Sequence, residues 1–215
     1  MSVGMDCETE SLKEGPAPYV VALYDSRGNK PSVFVSRGDE SHVLEATLAM
    51  ENCRDLATFN GTQFDFRMMA ACLSNKADQQ RLARLALTHT DIMLQFASDT
   101  GYFSSLESFA VPTLGAKKIG SGASVREQWE AGKCQEVADY CADDARLTAE
   151  LYNFGRARGY LLRSPKSKPE VVKRWPLGAE LWDCAYKCLQ NPATASFMDD
   201  PPDVKAMGDW TLQYL

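Results

Sequence analysis

Two runs rich in β-branched and aromatic residues, Tyr19–Tyr24 and Ser32–Val35, predict neighbouring strands. Asp25-Ser26-Arg27-Gly28-Asn29 between them has hairpin-turn chemistry, and Pro16 to Pro18 mark a turn ahead of the first run. Met5–Glu10 reads as one more extended segment, which makes three neighbouring strands in antiparallel order. The period then changes. Asp39 or Ser41 caps a helix running to about Met50, with Val43, Leu44, Thr47 and Leu48 on one side. Leu56–Phe59 predicts a short strand, Asn60-Gly61 a turn, and Thr62 to about Leu73 a helix. Ala77–Leu87 is a further helix, and Thr88–Met93 a strand end passing into another. Ser105–Ala110 gives a short helix before Pro112, and the glycine-rich, basic stretch Leu114–Gly122 a loop. A long helix follows from about Cys134 to Phe154. Leu177–Leu189 predicts a last helix containing Trp182, and an irregular tail through Asp199–Asp203 leads to Trp210.

Several polar residues break this pattern where chemistry is expected. On a strand, Asp6 and Glu8 share a face while Cys7 turns into the core. Two acids about 6–7 Å apart on one strand face repel, and divalent cations between them relieve the repulsion. An edge strand with a wet face is the plainer alternative. In the long helix, steps of three and four pick out Val137, Cys141, Asp144, Thr148 and Leu151, so Asp144 occupies an apolar stripe. A buried carboxylate has to be neutralised, paired or metal-bound. Tyr140 projects beside it one turn earlier. The alternative is a helix-end aspartate paired with Arg146 or Arg126. Asp65 falls in the first turn after Asn60-Gly61, where Thr62 and Asp65 also resemble a capping box, and Asp91 is placed to cap the helix after it.

Composition narrows the classes. The 215 residues form one domain by length, 45% are hydrophobic, and no apolar run approaches the roughly 18 residues of a membrane helix. With four residues ahead of Met5 and no room there for a signal peptide, a cytoplasmic or otherwise intracellular location is expected. Seven cysteines without a Cys-x-x-Cys pair predict reduced, packed thiols; Cys184 and Cys188 have helical spacing with neither histidine nearby. His42 and His89 alone argue against imidazole-rich metal sites. A net charge of −6 and a pI near 5.0 argue against coating nucleic acid by bulk electrostatics. Beyond Gly155 the chain turns basic, with Arg156, Arg158, Arg163, Lys166, Lys168, Lys173 and Arg174. That stretch reads as a solvated connector, or as an approach to phosphates. The loop at 114–122 has neither P-loop nor dinucleotide spacing; it either touches a nucleic-acid backbone or is a surface loop.

Taken together, Asp6-x-Glu8 on a first strand, Asn60-x₄-Asp65 at a strand-to-helix turn and Tyr140-x₃-Asp144 on a late helix resemble the DEDD 3′–5′ exonuclease superfamily. The subclass is the tyrosine one, DEDDy, and the motif style is similar to family B DNA polymerase proofreading domains. The position five residues before Asp144 is Asp139, not the histidine of the other subclass. The resemblance covers about residues 1–155. It implies an α/β, ribonuclease-H-like fold with a mixed five-stranded sheet flanked by helices. It implies two divalent cations, Mg²⁺ or Mn²⁺: Asp6, Glu8 and Asp144 hold one, Asp6 bridges to the second, and Asp65 acts on the second through water. Tyr140 would orient the attacking water, and Thr9, Asn60 and Phe64 would contact the terminal nucleotide. The implied substrate is the 3′ end of single-stranded nucleic acid, DNA ahead of RNA, cleaved to nucleoside 5′-monophosphates. A module that keeps the fold but does no chemistry is the competing class, and a structure-specific endonuclease of the same superfamily a third. The expected organisation is a nuclease domain over 1–160 and a basic connector with a tryptophan-rich tail over 161–215. That tail either packs on the domain or docks a replication or repair protein; no membrane partner is expected.

Overall fold

The computed structural model describes residues 2–10, 18–27, 31–120, 122–190, 192–195 and 198–215, with the backbone alone at Ala123. Strands β1 (Ser2–Glu8), β2 (Val20–Asp25), β3 (Ser32–Val35), β4 (Asp55–Thr58) and β5 (Thr90–Asp91) form one sheet in the order β3-β2-β1-β4-β5. The first three pair antiparallel, while β4 runs parallel to β1 and β5 parallel to β4. Of the turn expected at Pro16–Pro18 only Pro18 is described, and of Asp25–Asn29 only Asp25 to Arg27, where Asp25 Oδ1 accepts from the Arg27 amide at 3.0 Å.

Alternation along the strands divides the core into two layers. Val3, Met5, Cys7, Val21 and Leu23 face α1 (Ser41–Glu51), α2 (Asp65–Cys72) and α3 (Lys76–Thr88). Val20 and Ala22 face the long helix α7 (Cys134–Arg158), which the sequence places correctly at its start and which extends four residues past Phe154. Helices α4 (Ile92–Thr100), α5 (Leu106–Leu114) and α6 (Val125–Glu130) complete that side. This is the α/β, ribonuclease-H-like architecture expected, a mixed five-stranded sheet flanked by helices.

The seating of α7 on β1 decides where the chemistry lies. Ser2 Oγ donates to Asn153 Oδ1 at 2.7 Å, Gly4 meets Ala149 and Ala145, and the Cys141 thiol donates to the Asp6 carbonyl at 3.3 Å. A step of two on the strand, about 6.6 Å, thus matches a step of about four on the antiparallel helix, about 6 Å. At Gly4 the two backbones touch: a Cβ there would lie 2.0 Å from the Ala145 carbonyl oxygen and 2.8 Å from the Ala149 nitrogen.

Four expectations need correction. Helix α5 runs through Pro112 instead of ending before it. The proline sits beyond the first turn and leaves the Ser108 carbonyl without its helical donor, and the Ser164 amide donates to it at 2.9 Å. In α1 the buried face is His42, Val43, Ala46, Thr47 and Met50, while Leu48 is exposed. The basic stretch is not a plain connector: β6 (Tyr160–Arg163) and β7 (Lys173–Pro176) pair as an antiparallel hairpin. The last α-helix, α8, spans only Ala185–Gln190, with Trp182 ahead of it, and a 3₁₀ helix over Lys205–Gln213 follows.

Three tryptophans after residue 170 anchor this region. Trp175 packs with Phe96, Phe109 and Leu161 and donates to Asp99 Oδ2 at 3.0 Å. Trp182 stacks on Tyr152 over Gly155 and donates to the Tyr152 carbonyl at 2.9 Å. Trp210 joins the α1–α3 layer and donates to the Thr62 carbonyl at 2.7 Å. All seven cysteines are free thiols, and no described helix is long and apolar enough to cross a membrane.

Gly4→Ala is expected to lower stability by about 3 kcal/mol, roughly 6–12 °C in melting temperature, because backbone rather than a flexible side chain must move. Gly38→Ala, where a Cβ meets nothing within 4 Å among the described residues and the positive φ of 89° is the strain, costs about 1 kcal/mol. Thermal melts of the two variants check this; equal losses would contradict the seating argument.

Candidate active site

The register of α7 on β1 brings Asp144 to Asp6 and Glu8 at the carboxyl end of the parallel strands. That end of an α/β sheet is where such folds place ligands. One carboxylate oxygen from each of Asp6, Glu8 and Asp144 lies within 4.8 Å of the others. Asp6 Oδ2 and Asp144 Oδ1 are buried without a hydrogen-bond partner among the described residues. Burial, and then the negative charges of Glu8, Asp65 and Asp144, hold the Asp6 carboxyl well above the usual carboxylate range. Burial also pushes Glu8 up to about 8, with Asp144 and Asp65 adding to it, and raises Asp144, which Lys118 opposes. An all-oxygen donor set with orphaned carboxylate atoms fits a hard divalent cation such as Mg²⁺ or Mn²⁺. It does not fit a soft metal.

Asp65 stands behind this trio. Its Oδ1 accepts the Cys7 amide at 2.8 Å, from the strand position between Asp6 and Glu8, and burial raises it to about 7 against that bond. The capping box expected with Thr62 is absent: α2 starts at Asp65 with Phe64 as its cap residue, and Thr62 Oγ1 is buried without a partner among the described residues. The neighbours expected for Asp144 are also engaged elsewhere. Arg146 pairs with Asp143 at 2.6 Å and Glu150 at 2.9 Å, and Arg126 with Glu130 at 2.8 Å.

The partner of Asp144 is Lys118, whose ammonium contacts Asp144 Oδ2 directly and lies 5.1 Å from the centre of the Tyr140 ring. Burial alone would push this ammonium down; the Asp144 ion pair and hydrogen bonding with Asp144 and Tyr140 outweigh it and hold the charge on. Sequence reasoning missed Lys118, because a loop has no periodicity to mark which of its side chains turns inward. The available signal was a lysine pair between glycines in an acidic chain. Gly120 of the same loop lies against the Tyr140 ring, where a Cβ would come within 3.0 Å. Tyr140 is therefore covered, and burial pushes its hydroxyl well up.

Asp91 does more than the capping expected of it. Oδ1 accepts from the Leu94 amide at 3.1 Å, as a helix cap should, and from the Asn60 amide at 2.9 Å; Oδ2 accepts from the Thr62 amide at 2.9 Å. A second brace comes from His89. Its Nδ1 faces the Leu85 carbonyl at 2.9 Å and so carries the proton, which leaves Nε2 to accept from the Thr58 hydroxyl at 2.8 Å. Burial keeps this imidazole neutral, and Thr58 Oγ1 accepts in turn from the Gly61 amide at 3.2 Å. Asn60 is thereby held at φ 74°, the left-handed region that asparagine tolerates better than other side-chain-bearing residues. Its Oδ1 is buried without a partner among the described residues. Asn60, Thr9 and Phe64 line one cavity of about 610 Å³ with Asp6, Glu8, Asp65, Tyr140 and Asp144.

The sequence profile of the RNase H superfamily matches residues 3–154. No curated protein matches the sequence. The matched span takes in Asp6, Glu8, Asp65, Tyr140 and Asp144 and stops short of the β6–β7 hairpin. Covering well over half the chain, on the sheet order this fold requires, the match makes the protein a member of the RNase H superfamily.

Proposed function

We propose that the protein is a metal-dependent 3′–5′ exonuclease of the DEDDy type, acting on the 3′ end of single-stranded nucleic acid, DNA ahead of RNA, and releasing nucleoside 5′-monophosphates. The observation that carries this reading is the trio Asp6, Glu8 and Asp144 converging within 4.8 Å, with Tyr140 in the same cavity. Nuclease-type chemistry accords with the superfamily; the direction of attack, the subclass and the sugar are our inference.

In this reading Asp6, Glu8 and Asp144 would hold the divalent cations, with Asp65 acting behind them. Two such ions, when bound, clamp the scissile phosphate and lower the pKa of the attacking water. Tyr140 stays protonated at neutral pH, because burial raises its hydroxyl, so it orients that water by hydrogen bonding and is not the base. Asn60 offers its unpartnered Oδ1 to the terminal nucleotide, and Thr9 and Phe64 line the wall beside it. Lys118 neutralises Asp144 within the protein and becomes available to a substrate phosphate once Asp144 is engaged elsewhere. A non-catalytic module is the second reading, favoured only by that internal ion pair.

A 5′-labelled single-stranded DNA oligonucleotide, incubated with Mn²⁺ or Mg²⁺ beside the matching RNA, is expected to shorten in a ladder from its 3′ end. EDTA abolishes the ladder, and Asp144→Ala slows it by more than about a hundredfold. No cleavage of either strand with either metal would contradict the enzyme and favour the module.

Lys118→Met removes the internal competitor for Asp144. The expected outcome is a melting temperature several degrees lower without added metal. The Mn²⁺ concentration giving half-maximal thermal stabilisation should fall by about tenfold. An unchanged or weaker Mn²⁺ response would show that Lys118 does not compete for the site.

A further inference from the structure

The acid-lined cavity does not end at the acids. It shares Asp6, Phe59, Asn60, Lys118 and Asp144 with a second hollow of about 370 Å³. The second shares Phe103, Ser104 and Ser105 with a third of about 340 Å³, and the third shares Ser108 and Lys166 with a fourth of about 320 Å³. Through these shared residues the hollows follow one another from the carboxylates to the β6–β7 hairpin.

The chemistry along this course is graded. Near the acids lie the Asn60 amide and the Phe59 ring. Midway lies Phe103, 42% exposed and bordered on its other side by Asp200 and Asp203, with Ser104 Oγ accepting from Arg163 and Ser105 Oγ capping α5 beside it. At the far end stand Arg163, Lys166 and Lys117, with Glu107 the one acid in the lining there. Charge is segregated on the chain as well. The molecule carries −6 overall, yet residues 156–174 hold seven lysines and arginines against Glu170 alone.

The hairpin is fixed against the domain. Thr113 Oγ1 donates to the Leu162 carbonyl at 2.9 Å and accepts from its amide at 3.0 Å, and the Ser164 amide reaches Ser108. Arg163 Nε donates to Ser104 Oγ at 2.8 Å while its guanidinium lies over Phe96 and Tyr102. Arg163 at the basic end of the course is therefore preorganised, which lowers the cost of ordering it on binding.

We propose that this groove carries the body of a single polynucleotide strand whose 3′ end lies at Asp6, Glu8 and Asp144. A base stacks on Phe103, the strand passes Ser104 and Ser105, and Lys166 with Arg163 binds phosphates further toward the 5′ end. An exposed aromatic in a groove that turns positively charged is how single strands are held without sequence preference. Hollows strung in series suit successive unpaired nucleotides better than the uniform face of a duplex. The assignment rests on the exonuclease reading for its polarity alone, and it gives the hairpin, outside the superfamily match, the task of gripping substrate.

The test is fluorescence anisotropy in EDTA with 5′-labelled oligothymidylates and oligouridylates of four, eight and sixteen nucleotides. Wild-type affinity is expected to rise at least tenfold from the shortest to the longest probe in one or both sugar series, which also identifies the sugar the groove accepts. Lys166 and Phe103 are exposed, so Lys166→Glu and Phe103→Ala should melt like wild type. Each should weaken the longest probe about tenfold, and Lys166→Glu should also flatten the salt dependence. Affinity independent of length, or variants that bind as wild type does, would overturn the groove. So would competition by oligoglutamate as strong as that by the oligonucleotide, which would point to an acidic protein partner. A protein that shortens the labelled strand without any length dependence in binding would defeat the groove and leave the exonuclease standing. Length-dependent binding lost in both variants, by a protein that cuts neither strand, would do the reverse.

Discussion

At Gly4 the helix that carries Asp144 rests directly on the strand that carries Asp6, with backbone against backbone. Any side chain there would lift α7 away from β1, and the matched steps of two and four would lose their contact. Ser2 with Asn153 and Cys141 with the Asp6 carbonyl are read off the same seating. The position of the carboxylates is thus a consequence of how closely two main chains approach, not of any attraction between the acids. Left to themselves they repel: at 4 Å and an effective dielectric of 20, a pair of like charges costs about 4 kcal/mol.

The rest of the site shows how the fold tolerates that repulsion. Burial and the neighbouring acids push the Asp6 and Glu8 carboxyls above the usual carboxylate range. Lys118 brings a positive charge from a glycine-flanked loop to Asp144. Asp65 is tied to the Cys7 amide, so its charge is partly met by the strand itself. None of this maximises stability, since the close approach of these acids works against folding. Asn60 adds a left-handed backbone held by Asp91 and the Thr58–His89 pair. Crowded buried carboxyls, orphaned oxygens and a left-handed asparagine around one cavity are features that a ligand, rather than the fold alone, makes favourable.

Much of this was legible in the sequence, and the failures have physical causes. The alternation around Asp6 and Glu8, and the interruption of an apolar stripe by Asp144, are local periodic signals, and both face the same cavity. Lys118 lies in a loop, where nothing periodic says which side chain turns inward. Asp91 could be recognised as a cap from its neighbours, but its bonds to Asn60 and Thr62 cross 31 and 29 residues and depend on β4 and β5 pairing in parallel. The helix through Pro112 was missed because its freed carbonyl is met by Ser164, far along the chain. The same long-range docking turned an expected connector into a hairpin, with Leu161 and Trp175 packed beside Phe96 and Phe109.

The central claim is that these buried acids are kept for divalent cations. It is tested most directly by titrating Mn²⁺ into the protein calorimetrically at pH 7, in two buffers of different ionisation enthalpy. Because burial pushes Glu8 up to about 8 and holds Asp6 well above the carboxylate range, cations entering the trio are expected to displace protons. The account predicts Mn²⁺ binding with release of about one proton or more, seen as a buffer-dependent heat, and its loss in Asp6→Asn. Absence of binding, or binding that is independent of buffer and survives Asp6→Asn, would contradict it.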